Sequence, residues 1–487
     1  MYLAALDPRI KVAVEVEGNS ENLGGPSYDP PGAIADAEQD IVLGLRYGLD
    51  RGDLLMAFAP KPLLMSYTLQ DAGSTYSPAL EEATHEIFSE VQHAYSRLGA
   101  VDRIRLFTSP VPHDLDFFSR RALYGWFNHW MGVSRASTDE SAFEAAEPGI
   151  LNCTSTGQVL TSLGGRSVVQ MNIDRMRPLA SARQANRTRG AAENARIREE
   201  LMKLLSIPVE RAAPEANILS SNVRKGTIIE EIVFRSEPEI RIPGWLVKPA
   251  AARGRLPLVL YVSERGRNRV VAEPGYLEDL IHAGNVVYAI DLRGLGSASP
   301  RFPRQGPDFY RNHDLDQDYA WAGFVLGLPV LGQRVTDILA CLDYLAKRPD
   351  VDTGRLRILG EGRAAIAALM AAVVEDRPRS VLLDRCLASY TSIIESAMYT
   401  VPLSSFLYGI LSKFDLPDLV GALSPRPCWL LNATGPTELA LPQSQVMNWY
   451  EPARQAYATS GRHNGLRTLV QPEEASSKTI LAWSQET

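Results

Sequence analysis

Two residues in the first third of the chain have the types and the order needed for a proton relay. Asp71 stands in Leu-Gln-Asp-Ala-Gly-Ser, directly after the apolar run KPLLMSYT that begins at Lys61. His113 stands in Val-Pro-His-Asp-Leu-Asp-Phe-Phe, directly after RIRLFTSP, which runs from Arg103 to Pro110. A carboxylate that orients an imidazole, and an imidazole that then takes a proton from a hydroxyl, is the chemistry these positions permit. A loop aspartate alone is more often a turn former or a helix cap, and a loop histidine more often a surface residue. The case for a pair rests on both residues following strands, acid first and histidine second. Asp114 and Asp116 compete for the acid role, but both precede a helix whose N-terminus favours negative charge.

The segments around these residues alternate in period. A short helix at Tyr2–Leu6 leads to a strand from Ile10 to Gly18, followed by a polar excursion rich in Pro and Gly. The Lys61 run is too continuous for a half-exposed strand and suits a parallel sheet buried on both faces. Pro78 to Leu98 reads as an amphipathic helix with Leu80, Ile87, Val91 and Tyr95 near one stripe. An aromatic-rich helix from DFFSRRALYGWFNHWMGV closes the region. This order predicts a doubly wound parallel sheet over residues 1–135. Residues 136–215 read as a polar bridge with one charged helix from Ser181 to Leu205. From residue 216 to 487 the alternation returns in full, with a hairpin-like start (GTIIEEIVFRS, IRIPGWLVKPA) and then the strands LPLVLYVSERG, NVVYAIDLRG, RLRILGEG, SVLLDRC, PCWLLNATG and LRTLVQP.

An internal repeat ties the two α/β regions together. Asp53–Pro62, DLLMAFAPKP, recurs as Asp418–Pro427, DLVGALSPRP, 365 positions later with five of ten residues identical. Self-similarity in matching contexts is the mark of a duplicated unit. The second region has many strands before its copy of the segment, whereas the first has few. Half a parallel sheet would leave a long unpaired edge, so Met1 is expected to be an internal methionine and the first region the C-terminal half of its unit.

The repeat also locates what chemistry each region lacks. No Gly-x-Ser-x-Gly occurs in the sequence. In the second region the corresponding strand-to-helix turn is Leu359-Gly-Glu-Gly362-Arg-Ala-Ala, with Gly362 where a serine would stand. Pro436 takes the place of Asp71, and the loop QPEEASSK after the last strand has no histidine, His463 lying before that strand. VSERGRN reads as the remnant of a loop that would help to hold an oxyanion. The second region is therefore expected to be catalytically silent. Gly360, Gly362 and Asp384 also approach a dinucleotide-binding fingerprint. A Rossmann turn follows the first strand of its sheet, however, and several strands precede this one.

Composition excludes several classes. Hydrophobic residues make up 45% and charged residues 22% of the 487 residues, and the net charge of −7 is not gathered into a basic segment that would suit nucleic acid. No apolar run approaches the roughly 20 residues of a membrane span. Cys153, Cys341, Cys386 and Cys428 are far apart and form no CxxC pair, so neither a disulfide framework nor a zinc site is expected. The N-terminus has no charged leader, which leaves export open if Met1 is internal.

The motifs resemble the acetyl xylan esterase-like and dienelactone hydrolase-like branch of the α/β-hydrolases, in particular bacterial proteins with two such domains in tandem. The resemblance is carried by LAALDPRIKVAVEVEG, FAPKPLLMSYTLQD, PHDLDFFSRRALYGWFNHWMG, CTSTGQVLTSLGG and AIDLRGLGSASP, which together span nearly the whole chain. It implies a metal-free, cofactor-free ester hydrolase in which Asp71 and His113 serve a serine upstream of Met1, acting on a small-molecule or carbohydrate ester. A non-catalytic carbohydrate- or partner-binding protein is the alternative from another class, and a dinucleotide binder is a third.

Overall fold

The computed structural model describes residues 1–16, 22–23, 41–71, 79–133, 136–140, 142, 144–185, 190–208, 210–211, 214–273, 275–300 and 315–486. The chain divides into two compact units. The first comprises 1–158 and 300–328, the second 159–299 and 329–487.

The first unit is built on three parallel strands in the order β1 (Ala13–Val16), β2 (Leu63–Thr68) and β3 (Ile104–Ser109). Every residue of β2 is buried, as its unbroken apolar run requires of a strand covered on both faces. The helix Leu80–Arg97 turns Leu80, Ala83, Ile87, Val91 and Tyr95 inward at helical spacing. Its stripe meets Leu55, Phe58, Leu63, Met65 and Ile104 in one core cluster. β1 is shorter than the sequence implied, and residues 17 and 18 at the expected end lie outside the described residues, as does Pro78. The helix Leu315–Leu326 joins this unit through Val325, which packs with Leu23, and through Leu43 N–H donating to Phe324 O at 2.9 Å. No sequence pattern announces that return.

The second unit carries a nine-stranded mixed sheet. Its strands are β4 (Ala216–Arg224), β5 (Thr227–Glu237), β6 (Ile240–Pro249), β7 (Leu256–Ser263), β8 (Val286–Ile290), β9 (Val351–Glu361), β10 (Ser380–Asp384), β11 (Cys428–Leu431) and β12 (Leu466–Leu469). They lie in the order β12-β11-β10-β9-β7-β8-β6-β5-β4, antiparallel from β4 to the β6–β8 pair and parallel through the rest. The two-residue period of a strand sends Leu258, Leu260 and Val262 of β7 into one core and Val259 and Tyr261 into the other. β4 was not anticipated. It is an edge strand with mostly exposed residues, so it lacks the apolar signal of its neighbours.

The expected bridge 136–215 is divided between the units, and its helix is two helices. Val168–Ala185 and Ala191–Leu205 are separate, and Gly190 just before the second has φ 63°, outside helical conformation. Ile197, Leu201 and Leu205, four apart in sequence, are buried in the core of the second unit. Gly332 on the helix Val330–Leu345 approaches so closely that a Cβ there would lie 2.0 Å from Leu205 O.

The two repeated segments fold alike. Asp50 caps the helix Arg51–Met56 and Asp415 caps Leu416–Ala422, and each forms a reciprocal capping box with the aspartate three residues on. Each helix leads through a cis X-Pro bond, Ala59–Pro60 or Ser424–Pro425, into β2 or β11. No single helix among the described residues is long and apolar enough to cross a membrane.

Candidate active site and its second-unit counterpart

The parallel pairing of β2 and β3 positions the first pair of residues. Thr68 and Ser109 are partners in the register, so both strands end side by side and their following loops share one edge of the sheet. Asp71 closes a single 3₁₀ turn, Leu69–Asp71, immediately after β2. His113 lies in the loop between β3 and the helix Phe117–Trp130. The loops are tied by Gln70, whose N–H donates to Val111 O at 3.2 Å and whose Nε2 donates to Pro110 O at 2.7 Å.

His113 Nδ1 lies 2.6 Å from Asp71 Oδ2. The Asp71 side chain is fully buried, and that of His113 is 47% exposed. A hydrogen on Nδ1 donated to this carboxylate leaves Nε2 as the basic nitrogen. The arrangement can take a proton from a hydroxyl at Nε2 and steady the resulting imidazolium. The two competing acids do other things. Asp116 is the N-cap of Phe117–Trp130 and accepts from Phe118 N–H at 3.1 Å and Ser119 N–H at 3.0 Å. Burial opposes its ionisation, but the hydrogen bonds centred on Ser119 outweigh it and hold the carboxyl below the usual range. Asp114 is exposed.

In the second unit the strand order reverses at β7, which has β8 on one side and β9 on the other. The C-terminal ends of β7 and β9 therefore border the crevice where open α/β sheets place ligands. Gly362 follows β9 with φ 60°, and its N–H donates to Asp384 O at 2.9 Å. The helix Ala364–Val374 starts beside it, packed so close to the strand that a Cβ on Gly360 would lie 2.6 Å from Ala368 Cβ. Glu264, in the loop after β7, accepts from Arg363 N–H at 3.1 Å. A carboxylate over this turn repels a diphosphate, which argues against a dinucleotide there.

Beneath the turn lies a charged network that the sequence did not announce. Buried Glu361 accepts from Tyr261 Oη and pairs with Arg269 and Arg385, with Tyr276 Oη at 3.3 Å. Burial works against its charge, yet the Tyr261 hydrogen bond and the two guanidinium groups keep it below the usual carboxylate range. Asp384, at the end of β10, goes the other way. Burial pushes its carboxyl up to about 6, and the nearby Glu361 adds to the rise. Arg385 and Asn432 have φ 52° and 50° at the ends of β10 and β11, and Glu438 has φ 59° in the loop beyond. Such backbone is uncommon for residues other than glycine. His463 lies before β12, in an exposed turn. Among the described residues no group of three or more His, Cys, Asp or Glu could hold a metal ion. In the sequence, Glu361 is seen only as part of the turn Leu359-Gly-Glu-Gly362, with nothing to show its partners.

No protein-family model matches the chain. Among curated proteins it is 23% identical over 245 residues to YtaP of Bacillus subtilis (strain 168), which carries the name of a hydrolase; the match covers 47% of this chain and 77% of YtaP. Among solved structures it is similar to one from Bacteroides fragilis NCTC 9343 that bears the name of an acetyl xylan esterase. That likeness has a TM-score of 0.50 and 15% identity, covering 65% of this chain and 85% of that one. An acetyl xylan esterase from Paenibacillus sp. R4 aligns with a TM-score of 0.41 and 17% identity over 61% of this chain and 95% of its own. The mixed sheet and the first of these structural likenesses show an α/β fold of the kind found in α/β-hydrolases.

Proposed function

We propose that the first unit carries the acid and the base of a serine-type carboxylic ester hydrolase, resembling acetyl xylan esterases, whose attacking hydroxyl comes from sequence preceding Met1. The second unit is a catalytically silent copy of the same fold. The observation that carries this reading is the 2.6 Å contact between His113 Nδ1 and the buried Asp71 carboxylate at the ends of adjacent parallel strands. Acid and histidine follow one another there in the chain order of the hydrolase triad.

In the reaction, His113 Nε2 takes the hydroxyl proton as the serine oxygen bonds to the ester carbonyl carbon. The carbonyl electron pair moves onto oxygen. It returns as the alkoxide leaves with the proton from His113, and water then repeats the sequence on the acyl-enzyme. Asp71 holds the imidazole in the required tautomer throughout. A small-molecule or carbohydrate ester is the substrate class, in keeping with the esterases that share the fold.

The test is direct. Residues 1–487 alone should not turn over p-nitrophenyl acetate. A gene product extended upstream should do so, and its His113→Ala variant should lose at least about a thousandfold in kcat. Near-normal kcat in that variant removes His113 from the mechanism. A second reading, a non-catalytic carbohydrate- or partner-binding protein, is favoured by the lack of a Gly-x-Ser-x-Gly in the sequence. An inactive extended protein that binds xylan fragments would support it.

A further inference from the structure

In a nucleophile elbow the attacking side chain stands on a residue between strand and helix, and the amide of the next residue points at the developing oxyanion. Gly362 has the matching place and a positive φ of 60°, and the next amide belongs to Arg363. That amide already has an oxygen on it, since it donates to Glu264 Oε2 at 3.1 Å. A Cβ added at Gly362 would lie 2.5 Å from Glu264 Oε1 and 2.6 Å from Glu264 Cδ. Both separations are well inside van der Waals contact, so a side chain at this position would have to push the Glu264 carboxylate off the Arg363 amide. The carboxylate is held in place by charge. Arg363 Nε lies 3.5 Å from Glu264 Oε2, and Arg385 also feels its field. Arg363 is anchored in turn by Glu438, with Nε at 2.9 Å and the second guanidinium nitrogen at 3.2 Å.

We propose that Glu264 is an internal lock, a carboxylate that occupies the oxyanion position of the second unit and shuts its crevice to acyl groups. The inference rests on reading this unit as a hydrolase-type unit that has lost its triad. It adds a cause of silence beyond the missing residues. Glycine at 362 is then required twice, once by the backbone and once by the seat of Glu264. Restoring a serine alone would meet a blocked site as well as an absent base. Removing the Glu264 side chain should leave a space fitted to a small carboxylate, with the Arg363 amide as donor and two guanidinium groups nearby.

The experiment uses the full chain and reads stability, so its outcome is independent of whether Asp71 and His113 catalyse. Melting temperatures are measured for the native protein, Gly362→Ala, Glu264→Ala and the double variant. Gly362→Ala should lower Tm by several degrees in the native background and by much less when Glu264 is absent. Glu264→Asp, which draws the carboxylate back by one methylene, should give part of the same relief if the alanine variant does not fold. Acetate should raise the Tm of Glu264→Ala saturably, sodium chloride at the same ionic strength should not, and the native chain should respond to neither. Equal losses from Gly362→Ala in every background would overturn the proposal. So would an acetate response shared by the native chain.

Discussion

Asp384→Asn should stabilise the second unit at neutral pH, although it removes a charge that lies close to Arg385. The carboxyl is 6% exposed, and its Oδ1 has no hydrogen-bond partner among the described residues. Burial is the largest cause that raises it from 3.8 to about 6, with Glu361 adding repulsion and Arg385 and Arg269 opposing. A carboxyl whose folded pKa lies above its unfolded value binds its proton more tightly when folded. Stability from this group is therefore fully present below pH 3.8 and is lost as pH rises through about 6. The shift of about two units corresponds to about 3 kcal/mol of destabilisation above that window. Asparagine keeps an acceptor in the same place and never ionises, so it recovers most of that energy. For a unit of this size the gain amounts to roughly 3–5 °C in Tm. Calorimetry of the full chain should show the variant melting higher at about pH 8, with the two curves converging towards about pH 4. Parallel Tm–pH curves for the two proteins would refute the argument, because a constant offset cannot come from a proton bound only by the folded carboxyl.

Three further perturbations test other parts of the structure. Glu361→Gln leaves Arg269 and Arg385 without their shared anion and should cost about 3 kcal/mol in urea unfolding. Because the folded pKa of Glu361 is depressed, the native chain's advantage should be present above pH 4.5 and fade as pH falls through the folded value, opposite in sign to Asp384. Leu201→Ala should destabilise the second unit by about 2–5 kcal/mol, since Leu201 is fully buried in its core. A loss below about 0.5 kcal/mol would return the Ala191–Leu205 helix to the role of a surface connector. Asp71→Asn in an extended, active protein should leave KM near its native value while kcat falls by about 10⁴, because the amide would stabilise the wrong imidazole tautomer. Loss of binding instead of kcat would make Asp71 a structural residue.

The parts of the fold that could be read from sequence are those whose signal is local. Strands buried on both faces appear as continuous apolar runs, which is why β2, β7, β8, β10 and β11 were legible. The pairing of Asp71 with His113 was suggested by chain order and by the strands ahead of each residue, and the parallel register of β2 and β3 supplies the contact. The misses have physical reasons. β4 is an exposed edge without an apolar face. The stripe Ile197, Leu201 and Leu205 has helical spacing but only three apolar positions among charged neighbours, so it reads as polar overall. The Glu361 network joins residues from four separate segments, and no local pattern encodes such a meeting. The same holds for Leu315–Leu326, whose place in the first unit depends on a return across the chain.

The repeated segments show what the local fold itself demands. Asp50 with Asp53, and Asp415 with Asp418, satisfy the first amides of a helix that precedes a buried strand. Unpaired amides at a helix start would cost free energy in either unit, and both segments carry the cap, the Pro-basic-Pro entry and the strand. The residues just beyond the strand are under no such demand. Asp71 in one unit and Pro436 in the other follow their strands in turns, where a substitution leaves the ladder intact. Gly362 fits the same logic with one addition. Once a glycine stands at an elbow, a neighbouring side chain can fill the space, and Glu264 does so with a charge matched to the Arg363 amide. On the proposed reading, a side chain placed at Gly362 would have to displace the Glu264 carboxylate from Arg363 as well as adopt a positive φ.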